Sequence, residues 1–541
     1  MSAPTFARWG TPPQPVELAE PAQRFLKDTL GVAEPRAAVE LQDLAVSESR
    51  LSGEQFAGLM QVLGNAGVST SAGDRLMHVS GCSLVDYLQL RNGEAAVPDA
   101  VVRPESHDSV HELLGFCSNN AIPVVPFGGG TSVVGGLNPD RHGREETPWI
   151  SISLERMNRL LDIDEISQTA TVQPGITGPE LEAVLARRGL TLGHIPQSWE
   201  RASIGGYVAT RSAGQTSTGF GRIDDMVEAL RVATPVGELE LGHGPKSAAG
   251  PDLRQLFIGS EGALGIITEI TLRLRRTAKV VKYEGFMLPG FGEGVAAFRD
   301  LAQTRATADV MRLSDVDETA ATMQMSGPQG STAAVVQRYL NLRGVGDGSL
   351  AILGWEGWSR DAVNGRRRAA ARILRGHGAV SLGSSVGASW RRHRFDGPYL
   401  RDELLDQGYL AETLETACHW RDIPAVYAGV RDALGRSLAD RGNAPYVMCH
   451  VSHVYQTGGS LYFTVLVRAD ADPVAQWQMA KRAATDAMVR HGGTITHHHA
   501  VGRDHAPWME AEIGLEGVRL LRSIKACVDP QRVMNPGVLL P

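Results

Sequence analysis

The feature that most constrains this chain is one loop, Val125 to Asn138, which reads Val-Pro-Phe-Gly-Gly-Gly-Thr-Ser-Val-Val-Gly-Gly-Leu-Asn. A short apolar strand, Ile122 to Val125, is expected to run into it. Gly128, Gly129 and Gly130 tolerate positive φ and let backbone amides come close to a ligand. Thr131 and Ser132 add hydroxyl donors. Successive amides in such a turn make an anion-binding concavity suited to a diphosphate. The loop is neither the Gly-x-Gly-x-x-Gly that opens a dinucleotide-binding helix nor a Walker loop, because no Gly-Lys-Ser/Thr follows. By itself a glycine triplet reads more simply as a flexible turn, and the downstream sequence decides between the two.

With 541 residues the chain exceeds a single core, so two or three domains are expected. Hydrophobic content of 43% beside 21% charged residues describes an ordinary globular protein. A formal net charge of −7, with no basic tail, argues against nucleic acid as a partner. Cys82, Cys117, Cys418, Cys449 and Cys527 are scattered and never form Cys-x-x-Cys. That fits a reducing compartment and excludes a cysteine-ligated cluster of the usual spacing. Met1 to Gly10 has no apolar signal region, and no apolar run is long enough to span a membrane. A cytoplasmic protein is expected, with peripheral membrane contact left open.

Residues 1–95 read as an N-terminal helical region, with helices over Pro21 to Leu30 and Ser52 to Gly64. Residues 96–278 alternate strands and helices. Ala100 to Arg103, Trp149 to Leu154 and Thr169 to Val172 read as strands, and Ser109 to Asn119 as a helix. Thr177-Gly-Pro-Glu180 is a capping box opening a helix that stops at Gly189. Two more glycine- and hydroxyl-rich segments follow, at His194 to Gly214 and Leu256 to Glu269, the latter running into a strand from Ile266 to Leu274. Three such segments suggest one extended ligand lying over several loops. Residues 279–500 form a second domain in which strand–helix–glycine stop–strand occurs twice. The helices are Ser359 to Leu374 and Pro473 to Arg490, and the closing strands Ala379 to Leu382 and Thr494 to His499. That pattern predicts an antiparallel sheet backed by helices, ferredoxin-like in style. Arg366, Arg367, Arg368, Arg372 and Arg375 read either as a phosphate or membrane patch or, more simply, as a solvated helix face. Residues 501–541 make a C-terminal helical segment, with a helix from Gly517 to Val528, expected to pack on the first domain.

Taken together, the three loops resemble the vanillyl-alcohol oxidase / p-cresol methylhydroxylase flavoproteins. The resemblance to one branch, the alkyldihydroxyacetonephosphate synthase family, runs from about residue 90 to the end. Its marks are Gly175-Ile-Thr-Gly178, Gly259-Ser-Glu-Gly262, Arg312-Leu-Ser-Asp315, Tyr399-Leu-Arg-Asp402, Glu412-Thr-Leu-Glu-Thr416, Val454-Tyr455 and His497-His-His-Ala-Val-Gly-Arg503. Ala500 stands where the family has glycine and Arg503 where it has lysine, and Gly327 to Gly348 matches poorly. The fold this implies is α+β: a two-subdomain FAD-binding domain of the vanillyl-alcohol oxidase type plus a ferredoxin-like antiparallel-sheet cap domain.

The resemblance implies a noncovalent FAD, since the glycine loop lacks the His or Cys to which flavins of this superfamily are tethered. It assigns the cofactor to Pro126, Phe127, Gly128, Gly129, Gly130, Thr131 and Ser132. A second segment contributes Gln197, Ser198, Ser203, Gly205, Gly206, Thr210, Arg211, Ser212 and Ala213. A third contributes Glu261, Gly262, Gly265, Ile266 and Ile267. It further implies exchange of the acyl group of 1-acyl-dihydroxyacetone phosphate for a long-chain alcohol through flavin N5, with no net redox. Tyr455 matches the proton donor and acceptor, with His497, His498 and His499 beside it. Arg401 matches a substrate-binding arginine and Arg312 an activity-linked one. Each has a plainer reading: a tyrosine at a strand end, an arginine paired with Asp402 or Glu403, a structural arginine. Strand alternation would put His497 and His499 on one face and His498 on the other. A zinc site asks for three or four ligands and no further partner is evident from spacing, so no metal is expected. The expected partners are the two substrates and a second copy of the chain as a homodimer. The rival function is an FAD-dependent 2-hydroxyacid dehydrogenase or oxidase.

Overall fold

A computed structural model describes residues 7–9, 18–36, 44–94, 96–140, 146–327 and 330–540. The targeting-related ends, residues 1–6 and Pro541, lie outside the described residues. The chain divides into two compact units. One comprises Met1–Ala38, Gln215–Phe220 and Ala278–His497; the other comprises Val39–Gly214, Gly221–Thr277 and His498–Pro541. Residues 1–95 are therefore shared between the units.

The unit that carries the glycine loop is built on two sheets. The first has the order Val68–Ser69, Ala100–Val102, Ile150–Ser153, Val124–Phe127, with its last three strands parallel. Ala100–Val102 and Ile150–Ser153 are buried throughout, as parallel strands covered on both faces must be. Helix His107–Asn119, N-capped by Ser106, sets Val110, Leu113 and Leu114 into the same core as Ile122, Val124, Ile150 and Ile152. The strand entering the glycine loop is Val124–Phe127, two residues later than its apolar run suggests. The second sheet is antiparallel and runs Leu160–Asp164, Thr169–Val172, Ile266–Arg273, Val227–Thr234, Gly237–Leu241. The Thr177 capping box forms as its sequence requires. The C-terminal helix is longer than the sequence suggests, Met509–Val528, with a break in helical geometry at Gly514. Beyond it the chain runs back along the glycine-loop strand: the Val124 amide donates to Val533 and the Asn535 amide to Val124, both at 2.8 Å.

The other unit contains one seven-stranded sheet, every pairing of which is antiparallel. Its strands are β1 (Val280–Leu288), β2 (Val310–Ser314), β3 (Ser349–Gly357), β4 (Val380–Gly383), β5 (Tyr409–His419), β6 (Tyr446–Val454) and β7 (Gly458–Arg468). The helices that recur with these strands in the two halves are α1 (Phe291–Gln303), α2 (Arg360–Gly376), α3 (Ile423–Ala439) and α4 (Pro473–Arg490). The order is β4-β1-β3-β2-β6-β7-β5. The first half, β1-α1-β2-β3-α2-β4, thus has the split βαβ arrangement of a ferredoxin-like unit. The second half, β5-α3-β6-β7-α4, repeats it up to its last strand. There the expected strand Thr494 to His499 does not form. Thr494 does lie beside β5, its amide donating to Ala417 at 2.9 Å and its carbonyl accepting from the Thr416 hydroxyl at 2.6 Å. The Glu415 carboxylate then accepts the Thr496 hydroxyl at 2.7 Å and the His497 amide at 2.6 Å. A side chain has taken the place of the ladder, and without a pleat the alternation argument for the three histidines does not apply.

Candidate active site

The glycine loop is shaped by close packing against the second glycine segment. A methyl group on Gly129 would stand 2.2 Å from the Arg201 carbonyl oxygen, and Gly130 holds φ at +65°. Only glycine meets both demands. Among the described residues, the amides of Gly128, Gly129, Gly130, Thr131 and Ser132 have no hydrogen-bond acceptor. Polar groups in such a turn ordinarily find partners, so five successive donors describe a cradle for an anionic group. The loop's carbonyls are used structurally, Gly130 accepting from the Cys82 thiol and Ser132 from the Cys82 amide.

The other expected cofactor residues differ in how much of them is available. Ser203 caps helix Ile204–Ala209 through the Gly206 amide, and the Thr210 hydroxyl donates back to Gly206. Gly205 lies against Pro174, to whose carbonyl it donates at 2.8 Å. Ser212 shares a hydrogen bond with His194 at 3.1 Å, and Ala213 is buried next to it. The Arg211 guanidinium spans Ile258, Gln255 and Asp224, so its side chain braces the third segment. Glu261 is committed to the protein: its amide donates to Ala209, its carbonyl accepts from Asn535, and its carboxylate accepts the amides of Val501 and Gly502. Burial pushes that carboxyl up to about 7, against the help of the two amides. Gly262 packs on Pro126, and Gly265 leads into the buried strand start Ile266 and Ile267. Gln197 and Ser198 form the turn whose Ser198 carbonyl accepts from Arg201 and Ala202.

In the other unit, one end of the seven-stranded sheet gathers the expected chemistry. The Tyr455 hydroxyl, just past β6, lies 2.6 Å from Nε2 of His497. The ring of His453 packs against that of His497 with centroids 4.9 Å apart. Glu415 on β5 fixes the His497 backbone, as described above. The register sets Glu415 opposite Tyr462 and Tyr462 opposite His450, so these three share a face. The His450 and Tyr462 rings stack at 4.9 Å, and the Tyr462 hydroxyl donates to Thr413 at 3.0 Å.

Arg312 on β2 completes this row. One guanidinium nitrogen donates to His450 Nε2 at 2.9 Å and another to Glu318 at 2.7 Å. Arginine only donates, so Nε2 accepts and Nδ1 carries the proton to Glu318, 3.1 Å away. Burial and the nearby Arg312 charge both hold His450 below the usual histidine range, which keeps it neutral. Burial, the largest single effect, would raise the Glu318 carboxyl, but Arg312, His450 and Ser314 together outweigh it and Glu318 sits well below the ordinary carboxylate range. The Tyr462 phenol is pushed up to about 12 by burial.

Arg401 lies on helix Gly397–Asp406 and faces Glu412 on β5 at 3.7 Å. Asp402 accepts the Trp9 amide on both carboxylate oxygens, and Glu403 accepts from Gln407. Arg401 and His497 are thus both tied to β5, through Glu412 and Glu415. His498 and His499 belong to the other unit, where their rings meet edge to face at 4.7 Å. The chain thus passes from one unit to the other between His497 and His498, and within its own unit His497 meets Tyr455.

Sequence reasoning named Tyr455, His497, Arg312 and Arg401 but gave no role to Glu415, Glu318, His450, His453 or Tyr462. Of these five, only Glu415 lies within the quoted marks. Nothing local sets them apart from other polar strand residues; only the strand register does.

Residues 98–241 match the family model "FAD binding domain" and residues 277–539 match "FAD linked oxidases, C-terminal domain". With the amide cradle already described, these define an FAD-binding flavoprotein. A solved structure of p-cresol methylhydroxylase, at 15% identity and a TM-score of 0.67 over 91% of this chain and 98% of its own, shares the fold. A much closer likeness is to the alkyldihydroxyacetonephosphate synthases of Dictyostelium discoideum, 34% identical over 86% of this chain and 77% of that protein, and of Trypanosoma brucei brucei, 33% identical over 89% and 80%. A solved alkyldihydroxyacetonephosphate synthase matches at 29% identity with a TM-score of 0.84, covering 98% of both chains. The chain belongs to the alkyldihydroxyacetonephosphate synthase family.

Proposed function

We propose that the chain exchanges the acyl group of 1-acyl-dihydroxyacetone phosphate for a long-chain alcohol. The C1–O bond to the acyl group breaks and the fatty acid leaves as its carboxylate. A new C1–O bond to the alcohol oxygen forms, and the alcohol's proton passes to a protein base, so no net redox occurs. FAD, when bound, supplies a nucleophilic flavin nitrogen; the cradle of amides at residues 128–132 holds its diphosphate noncovalently.

The observation that carries this reading is the 2.6 Å contact between the Tyr455 hydroxyl and His497 Nε2. A phenol titrating near ~10 is a poor base at neutral pH unless its anion is stabilised. An imidazole at hydrogen-bond distance takes or returns that proton and so lets Tyr455 work on a C1 proton. Glu415 orients His497. Arg401 offers the planar fork suited to a phosphate. Arg312 keeps His450 neutral and in place on the same face.

Titrating FAD-loaded protein with 1-hexadecanoyl-dihydroxyacetone phosphate, without any electron acceptor, is expected to bleach the flavin absorbance. Labelled hexadecanol is then expected to enter the ether product. Dye reduction by lactate or glycolate, with no response to the ketone phosphate, would replace this reading with a 2-hydroxyacid dehydrogenase.

A further inference from the structure

After helix Met509–Val528 the tail of the chain runs beside two of the cofactor segments at once. Two side chains shape its turn. Asp529 is fully buried, and its carboxylate accepts the amides of Val533 and Met534 at 3.0 and 2.9 Å. Lys525 donates to the Asp529 carboxylate at 2.6 Å, to the Met534 carbonyl at 2.6 Å and to the Ala263 carbonyl at 2.7 Å. All three ammonium protons are thus used, and the last of them ties the tail to the third segment, Leu256 to Glu269. The tail also lies along strand Val124–Phe127, Met534 bridging Val124, and the Asp140 amide donates to Pro536 at 2.8 Å.

Asn535 joins both sides through one group. Its side-chain nitrogen donates to the Gly136 carbonyl at 3.0 Å and to the Glu261 carbonyl at 2.7 Å. Carbonyls only accept, so this end of the amide must be the nitrogen. Among the described residues its other end, Oδ1, is buried with no hydrogen-bond partner. A buried acceptor left without a donor is unfavourable, so the position uses asparagine for its two donors. The backbone suits the same residue: φ at Asn535 is +36°, where asparagine, aspartate and glycine are best tolerated. Gly136 is closed onto the cradle in turn, its amide donating to Ser132 Oγ at 3.1 Å. A line of hydrogen bonds therefore runs from Ser132, the last cradle residue, through Gly136 and Asn535 to Glu261.

We propose that Asn535 is a positioning residue for FAD. It fixes the separation of the first and third cofactor segments through the carbonyls of Gly136 and Glu261. The five cradle amides then stay converged on the diphosphate. The inference rests on residues 128–132 being the diphosphate site and is independent of the exchange reaction.

The test follows FAD release from the full FAD-loaded chain on dilution, by the rise in flavin fluorescence. Asn535→Gly keeps the left-handed backbone and removes only the bridge. Release is expected to quicken roughly tenfold to hundredfold, the scale on which buried carbonyls left unpaired act. Asn535→Asp keeps size and conformation but turns an acceptor toward two carbonyl oxygens, so it is expected to release FAD faster still. A residue that merely filled space would give the reverse order, aspartate holding FAD better than glycine. Leu185→Ala, a fully buried truncation on helix Gly178–Ala186 of the same unit, is the control. It is expected to lower the thermal midpoint and leave release near the parent rate. One measurement needs no variant. Whatever the tail contributes to FAD binding, FAD returns to the tail by linkage. Amide hydrogen exchange in residues 530–540 of the parent is therefore expected to slow when the stripped chain is reloaded with FAD. Release by Asn535→Gly no faster than by Leu185→Ala, aspartate holding FAD better than glycine, or tail exchange indifferent to FAD would each overturn the proposal. Should Gly129→Ala then keep its flavin as well, the error lies in the cradle; should it lose its flavin, the error lies in Asn535 alone.

Discussion

Tyr455 and His497 share a hydrogen bond of 2.6 Å, although one follows a sheet strand and the other lies in an irregular segment beyond α4. Tyr455→Phe removes only the hydroxyl. The variant is expected to bind FAD at full occupancy and keep its thermal midpoint, while exchange drops by about 10²–10⁴-fold, the usual worth of a positioned acid–base group. Flavin absorbance per protein and incorporation of labelled alcohol check both halves. Retained exchange would remove Tyr455 from the chemistry.

Glu415 reaches the same pair indirectly, since it accepts from the Thr496 hydroxyl and the His497 amide. Glu415→Gln keeps the size but turns one acceptor into a donor facing another donor. His497 then loses its fixed position, and displacement of about 1 Å in such a pair costs on the order of 10²-fold in rate. The loss is expected in kcat more than KM. It should also be smaller in a Tyr455→Phe background, because there His497 has no proton to exchange. Equal losses in both backgrounds would reduce Glu415 to a fold-stabilising residue.

Gly129 tests the cradle. Its neighbour, the Arg201 carbonyl, leaves 2.2 Å for a methyl group, a distance no real contact shows. Gly129→Ala is expected to push the two glycine segments apart and lower FAD content severalfold. The circular dichroism of the sheets should stay unchanged. Gly53→Ala, at a helix start with nothing within 4 Å, is the control expected to keep its flavin.

Local signals in the sequence account for much of this. The capping box at Thr177, strand Thr169–Val172 and helix Pro473–Arg490 depend on residues within a few positions of one another, and all form as read. The repeated strand–helix–strand pattern also gave the ferredoxin-like halves of the seven-stranded sheet. What failed depended on distant partners. Thr494-Ile-Thr-His reads as a strand by propensity, yet Glu415, far back in the chain, claims the His497 amide that a ladder would need. Gln215–Phe220 joins the unit of the seven-stranded sheet with no break in local composition to announce it. The departure at Ala500 became intelligible only in three dimensions. Its φ is +73°, a conformation costing a side chain roughly 1–2 kcal/mol, which is why the resemblance has glycine there. The row Arg312–His450–Tyr462–Glu415 depends on register across three strand pairs, which no single stretch encodes.

Glu261 gives the pH dependence a definite sign. Its carboxyl is fully buried and raised from 4.5 to about 7, chiefly by desolvation. A carboxyl raised on folding favours the folded state most while protonated. Its contribution is therefore complete below about pH 4.5 and is lost as pH rises through about 7. Glu261→Gln keeps an oxygen for the Val501 and Gly502 amides but cannot ionise. The variant is expected to match the parent near pH 4 and to exceed it at pH 8 by about 3 kcal/mol, the free energy of that shift. Paired denaturation curves of the FAD-loaded proteins at the two pH values measure the difference. A gap that stays constant, or that is larger in acid, would mean that Glu261 folds as a stabilised carboxylate and that the two amides outweigh its burial.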